Sequence, residues 1–250
     1  MIFAMSDICG YYEVLKERID QIMPYLKEGD HRLALLGNYI GRGKSSYQCI
    51  KMIFDLQKEL GEDKVIVLAG ENERSFVGIL YGCDGVWIDI DMDMGISSTF
   101  LTEEQLEEMK NFPRLTERLA RLLERGLITD SEVDGELLSR QHSFVKKCVR
   151  TNDRELISWM GRLEDSYETE AQIFVHTGID DSIKALIAGH AAVPAAADVS
   201  NFENIYFDEK KHYYVGGSIA HTNRLLCLAY DEDTKEYYEF MEDGTFNKIG

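Results

Sequence analysis

The sequence predicts an α/β fold. Near the N-terminus, short apolar runs alternate three times with helix-patterned segments. Toward the C-terminus, β-branched and aromatic runs are separated by turn residues. The first pattern argues for parallel strands joined by crossover helices, the second for further strands and hairpins.

The elements follow in order. "MIFAM" is a short apolar run ending at Ser6-Asp7 and reads as a buried strand. "YYEVLKERIDQIMPYL" has apolar residues at helical spacing, "RLALLG" is a second strand, and "SSYQCIKMIFDLQKEL" is a second helix stopped by Gly61. "KVIVLAG" and "ERSFVGILYG" make the third strand and helix. An acidic loop, "CDGVWIDIDMDMG", then leads into a charge-dense helical region, residues 100–165, which Pro113 divides early. From Ala171 the strands return as "QIFVHTG", "ALIAGH", "NIYFD", "HYYVGG", "RLLCLAYD" and "EYYEFM", with "DEDTK" and "EDG" as hairpin turns and "AAVPAAAD" as a loop.

Composition narrows the function classes. The 250 residues fit one large domain or two small ones, and 44% hydrophobic content supports a real core. A net charge of -18 repels nucleic acid and anionic membrane, so neither is expected as a partner. No apolar run reaches the roughly 18 residues of a membrane span. "MIFAMSDICG" has neither a basic region nor a long apolar stretch, so no secretory leader is expected. The five cysteines are scattered and odd in number, which predicts reduced thiols and a cytoplasmic location.

Chemistry-bearing residues gather at strand ends. "SDICG", "GNYIGRG" and "GENE" close the early strands; "VHTG" and "AGH" close two later ones. In an open α/β sheet, ligand sites form at the carboxyl ends of the strands.

This order resembles the calcineurin-like metallophosphoesterases, in particular the bacterial branch of the serine/threonine phosphoprotein phosphatases. Their pattern runs D-x-H-G, G-D-x-x-D-R-G, G-N-H-E, H-x-G and G-H. The likeness extends to "YYEVLKERI", "KVIVLAG", "YETEAQIFVHTGID" and "HYYVGGS". It implies a four-layer α/β/β/α sandwich, with the N-terminal and C-terminal strands each supplying one sheet. It also implies a single domain over 1–250, the helical insertion at 100–165 lying within it. The family holds two metal ions bridged by an aspartate and uses a metal-bound hydroxide against phosphorus.

Mapped onto that pattern, Asp7 keeps a metal-ligand position, Arg42 the phosphate-binding position, and His176 and His190 the two late histidines. Cys9 replaces a histidine ligand, Asn38 the bridging aspartate, and Gly41 the aspartate that supports the catalytic histidine. Glu71 replaces an asparagine ligand, and Asn72 stands at the general-acid histidine. Val215 stands where relatives often carry aspartate, and the stretch from His176 to Gly189 is shorter than the family's. A neutral Asn38 is a poor bridge for two dications, and Asn72 is no general acid near neutral pH, a role typically worth ~10²–10⁴-fold.

Each position also has a structural reading. Cys9 can be a reduced core thiol. Glu71 can be a helix cap. His176 and His190 can be satisfied histidines. Arg42 can form a salt bridge to Asp7 or Glu71. His212 and His221 read as surface or core residues. "DIDMDMG" lacks EF-hand spacing and reads as a solvated loop.

Two functions remain open. One is a pseudophosphatase that binds a phosphorylated protein or another protein partner, with no cofactor or one divalent metal at vestigial positions among Asp7, Cys9, Asn38, Glu71, His176 and His190. The other is a weak phosphoesterase with one divalent metal, zinc or manganese, on His176, His190 and Glu71. Oligomeric state is not readable from the sequence.

Overall fold

A computed structural model describes residues 1–82, 95–178, 184–190, 204–208, 210–217 and 219–249. Most of the acidic loop and the alanine-rich loop lie outside these residues, as does part of the stretch after His176.

The N-terminal half alternates β1 (Ile2–Met5), α1 (Tyr12–Glu28), β2 (Arg32–Leu35), α2 (Ser46–Leu60), β3 (Val65–Val67) and α3 (Glu71–Leu80). After a helical turn at 95–98 come α4 (Glu103–Lys110), α5 (Glu117–Glu124), α6 (Asp130–Asn152) and α7 (Arg154–Met160). Strands β4 (Ser166–Glu168), β5 (Gln172–Val175), β6 (Ala185–Ala188), β7 (Tyr206–Phe207) and β8 (His212–Tyr214) come next. A short α8 (Ile219–Thr222) precedes β9 (Leu228–Asp231), β10 (Glu236–Phe240) and β11 (Phe246–Ile249).

Local chemistry sets the helix ends. Thr102, Thr116 and Thr129 each accept a backbone N–H from the first turn of α4, α5 and α6, and Asp153 does the same for α7. Gly61, at φ 93°, ends α2 as its sequence predicts. Pro113 falls between α4 and α5, where it interrupts no helix.

Two sheets pack face to face. The first has strand order β11-β10-β9-β1-β2-β3, the second β4-β5-β6-β8-β7. The strands β1, β2 and β3 are mutually parallel, while β9 joins β1 antiparallel. The C-terminal strands therefore complete the N-terminal sheet rather than forming the second sheet. The expectation of one sheet from each end of the chain is corrected here: pairing of Ile2 with Tyr230 and Ala4 with Leu228 settles it.

Between the sheets lie Ile2, Ala4, Leu36, Phe174, Ile187, Tyr213, Val215 and Leu228. The other face of the first sheet meets the helices through Phe3, Met5, Leu33, Leu35 and Val67. From α1, Leu15, Ile19, Ile22 and Leu26 are buried there, each contributing about 1.5–3 kcal/mol relative to exposure. Buried Arg18 donates to the carbonyls of Leu225 and Phe240, fastening α1 to the C-terminal strands. On the outer face of the second sheet, Leu186, Ala188 and Tyr214 pack with Ile173 and Val175, all strand residues. Among the described residues no helix is long and apolar enough to cross a membrane. The described cysteines Cys9, Cys49, Cys148 and Cys227 are free thiols.

Candidate functional site

The parallel strands deliver their loops to one end of the sandwich. The loops after β1 and β2 zip together: Cys9 N donates to Asn38 O at 2.7 Å, and Gly10 N to Tyr39 O at 2.8 Å. Asp7, Cys9 and Asn38 all adopt left-handed backbone, at φ 55°, 48° and 57°. Aspartate and asparagine tolerate that conformation better than most residues. The loop after β3 then approaches so closely that a Cβ on Gly37 would sit 2.5 Å from Gly70 N. Glycine at 37 is thus a requirement of main-chain contact.

A residue not singled out in the sequence holds these loops. Glu73, fully buried on α3, accepts the backbone N–H groups of Asn38, Tyr39, Ile40 and Gly70 at 2.8–3.1 Å. Burial raises its carboxyl above the usual range, and those N–H groups oppose the rise. Tyr39, also fully buried, accepts Gly37 N–H and places its hydroxyl 2.6 Å from Leu68 O. The acid in "GENE" was visible, but an acid in a first helical turn reads as a cap; its hold on a distant loop is tertiary.

The result is a hollow of about 490 Å³, lined by Asp7, Cys9, Asn38, Arg42, Glu71, Asn72 and His190 among others. His176, 4% exposed, lies beneath it, with Nε2 2.6 Å from Glu71 Oε2 and Nδ1 2.7 Å from Leu36 O. His190 Nδ1 is 3.2 Å from Glu71 Oε1 and 3.9 Å from Asp7 Oδ1. Ligand atoms of Asp7, His176 and His190 fall within 4.8 Å of one another. Residues separated by most of the chain thus meet in one place.

Both nitrogens of His176 face oxygen acceptors. Such a ring carries two protons or meets a cation at Nε2. Burial pushes the imidazole down, but the Glu71 hydrogen bond and the Asp7 charge more than offset this, and its pKa lies above the usual value. Glu71 is opposed by burial yet held down at about 2 by hydrogen bonds from His176 and Asn38. Burial raises the Asp7 carboxyl, with His176 and Asn38 pulling it back.

Asn38 does something its sequence position did not reveal. Its Nδ2 donates to Asp7 Oδ1 at 3.0 Å and to Glu71 Oε1 at 2.9 Å, and its Oδ1 accepts Asn72 N–H at 3.1 Å. The amide bridges two carboxylates through hydrogen bonds, where the family pattern has a carboxylate bridging two metals. Asn72 turns its amide onto Ile40 O at 2.8 Å. Cys9 is half-buried, and burial and the Asp7 charge push its thiol up to about 12, so it stays protonated and a weak ligand.

Gly41 has no room for a side chain: a Cβ there would lie 2.9 Å from both Cα and Cβ of Cys9. The loop carrying Cys9 fills the space beside residue 41. Val215 is buried between the sheets, and the neighbouring Gly216 abuts Asp7, where a Cβ would come 2.7 Å from Oδ2. Arg42 is exposed at the rim and makes no ion pair or hydrogen bond among the described residues, which corrects the salt-bridge reading. His221, read as a surface or core residue, lines the hollow with Tyr11; His212 instead pairs with Asp208 at 2.8 Å.

The residues fit one divalent cation. Asp7, His176 and His190 supply an oxygen and two imidazoles, Glu71 stands against both histidines, and Leu36 O orients His176 from behind, as backbone carbonyls orient metal-binding histidines. They fit a second cation poorly, because Asn38 is engaged at both ends and Cys9 is a protonated thiol.

No protein-family model and no curated protein matches the chain. Among solved structures, a cold-active protein tyrosine phosphatase of a psychrophilic Shewanella sp. is 15% identical, the alignment covering 100% of this chain and 80% of that one at a TM-score of 0.49. A metallophosphoesterase from Sphaerobacter thermophilus is 12% identical, with 100% and 88% covered at a TM-score of 0.41. The chemistry of the site rests on its own geometry. Two facing mixed sheets, helices packed on the first, and strand-end loops converging on a histidine and carboxylate hollow define the architecture that carries this site.

Proposed function

We propose that the protein is a pseudophosphatase: it takes at most one divalent cation and binds a phosphorylated ligand, a phosphoprotein included, without appreciable hydrolysis. The observation that carries this is the Asn38 amide, which joins Asp7 to Glu71 by hydrogen bonds and leaves no bridging carboxylate. Arg42, without a protein partner among the described residues, supplies two-pronged recognition of a phosphoryl group. Asn72 neither donates a proton at neutral pH nor points freely into the hollow.

A single cation, when bound, would supply Lewis acidity and lower the pKa of a bound water. The chain's own residues orient and recognise: Leu36 O sets the His176 ring from its Nδ1 side, and Arg42 meets the anion. That geometry favours a second reading, a slow single-metal phosphoesterase, because Asp7, His176 and His190 are already assembled.

Metal content and turnover separate these readings. Calorimetric titration with manganese or zinc is expected to give one equivalent or none, with p-nitrophenyl phosphate hydrolysis at background. Phosphate binding is expected to fall in Arg42→Ala. Manganese-stimulated hydrolysis abolished by Arg42→Ala would establish the enzyme instead, and two equivalents would overturn both readings.

A further inference from the structure

A second cleft lies at the opposite end of the sandwich. Its lining includes Lys184 and Lys211, next to the starts of β6 and β8, Tyr213 within β8, and Tyr230, Lys235 and Tyr237 at the turn between β9 and β10. Both sheets contribute, and the volume is about 700 Å³, within the ~300–1,000 Å³ of small-molecule pockets. The strand-end hollow lies at the other end of the same parallel strands.

Its floor is a stack of rings spanning the two sheets. Phe207 and Tyr213 lie 4.7 Å apart, Tyr213 and Tyr237 4.1 Å, and Tyr237 and Tyr230 4.7 Å between centroids. Tyr237 O–H is anchored by Gln172 Nε2 at 3.1 Å. Tyr213 and Tyr230 are 5% and 4% exposed, yet neither hydroxyl has a hydrogen-bond partner among the described residues.

The rim is cationic in a protein of net charge -18. Lys184 is engaged by Glu168 and Thr169 O, and Lys248 by Glu236. Lys211 and Lys235 form no ion pair among the described residues and are exposed. Of the acids in the lining, Glu236 is occupied by Lys248 and by Tyr238 O–H, which leaves Glu170. Two uncommitted ammonium groups above two uncommitted phenol donors are complementary to an oxyanion, and the ring stack to a flat apolar body.

We propose that this cleft binds a small ligand carrying a phosphate or carboxylate on an aromatic or apolar body, held by Lys211 and Lys235 over Tyr213 and Tyr230. The site is independent of the Arg42 hollow.

The test is an NMR titration of the full-length, isotope-labelled chain with phenyl phosphate, benzoate and phenol. Phenyl phosphate or benzoate is expected to shift the amides of Lys211, Tyr213 and Lys235, their ranking telling phosphate from carboxylate, and phenol to leave them unmoved. The double variant K211N/K235N is expected to lose about tenfold or more in affinity, because it removes two charge-assisted hydrogen bonds. Both lysines sit at positive φ, 66° and 62°, which asparagine accepts, so the fold is preserved. Tyr213→Phe keeps the ring stack and is expected to weaken binding several-fold. Shifts confined to the Arg42 hollow, equal response to phenol, or unchanged affinity in either variant would overturn the proposal.

Discussion

His176 Nε2 lies 2.6 Å from Glu71 Oε2, a contact that demands a proton between nitrogen and oxygen. In metal-free protein the proton serves. Glu71, whose pKa falls from 4.5 to about 2, contributes stability above pH 4.5 that is lost as pH falls toward 2. His176, raised from 6.5, contributes stability fully present below pH 6.5 and lost as pH rises through its folded value.

The pair therefore stabilises metal-free protein most between pH 4.5 and 6.5. Thermal melts of chelator-treated wild type and Glu71→Gln should differ most in that window and converge at alkaline pH. A difference constant to pH 9 would show that the contact is not an ion pair.

Proton and cation compete for the same nitrogen, so affinity for manganese or zinc should rise with pH. Calorimetry in buffers of different ionisation enthalpy should report proton release on binding below the folded pKa of His176. Pre-treatment with chelator should not unfold the chain, because the Glu71–His176 contact persists without metal.

Asn38→Asp removes both Nδ2 donors and sets a third carboxylate beside Asp7 and Glu71. Without metal the variant should be less stable by about 1–3 kcal/mol, the cost of broken and repulsive buried contacts. Manganese should raise its melting temperature more than that of the parent. Equal stability of the two metal-free proteins would rule out the amide as a cross-brace.

Glu73→Gln keeps the shape of the side chain but turns an amide donor toward backbone N–H groups. The four N–H donors converge on both carboxylate oxygens, so a loss of about 3 kcal/mol is expected in urea denaturation. Metal affinity should fall with it, since Glu73 places the loop that carries Asn38.

Rebuilding the family pattern should meet a steric limit at residue 41. Gly41→Asp forces a Cβ to within 2.9 Å of Cys9 Cα, and changing the Cys9 side chain leaves that main-chain contact in place. The substitution alone should cost about 1–3 kcal/mol as overpacking. The combination Cys9→His, Asn38→Asp, Glu71→Asn and Asn72→His, without it, should gain metal but little hydrolysis of p-nitrophenyl phosphate, for want of a partner to orient residue 72.

Much of the site was legible because strand-end residues are local signals. Asp7, Asn38, Glu71, His176 and His190 each follow an apolar run, and parallel strands carry such ends to one side. Glu73, Tyr39 and His221 were not legible as site residues. Their roles depend on which loop lies opposite, and nothing in their own neighbourhoods encodes that.

By itself the sequence determined the elements whose apolar period is strong: the buried strands β1 to β3, the helices between them, and the threonine-capped helices after them. Through its resemblance to the phosphoesterase motifs it also led to the expectation that Asn38 and Asn72 replace a bridging carboxylate and a general acid. Only the tertiary structure decided that β9 pairs with β1, because antiparallel and parallel edges present the same apolar alternation. β11, largely exposed along "FNKI", carried too little period to be seen. Tertiary structure alone decided what the site residues do as well: an amide tied to two acids at Asn38, a loop packed against Gly41, and an Arg42 that has no partner among the described residues. Those outcomes come from distances of about 3 Å between segments far apart in the chain, set by packing and hydrogen bonding.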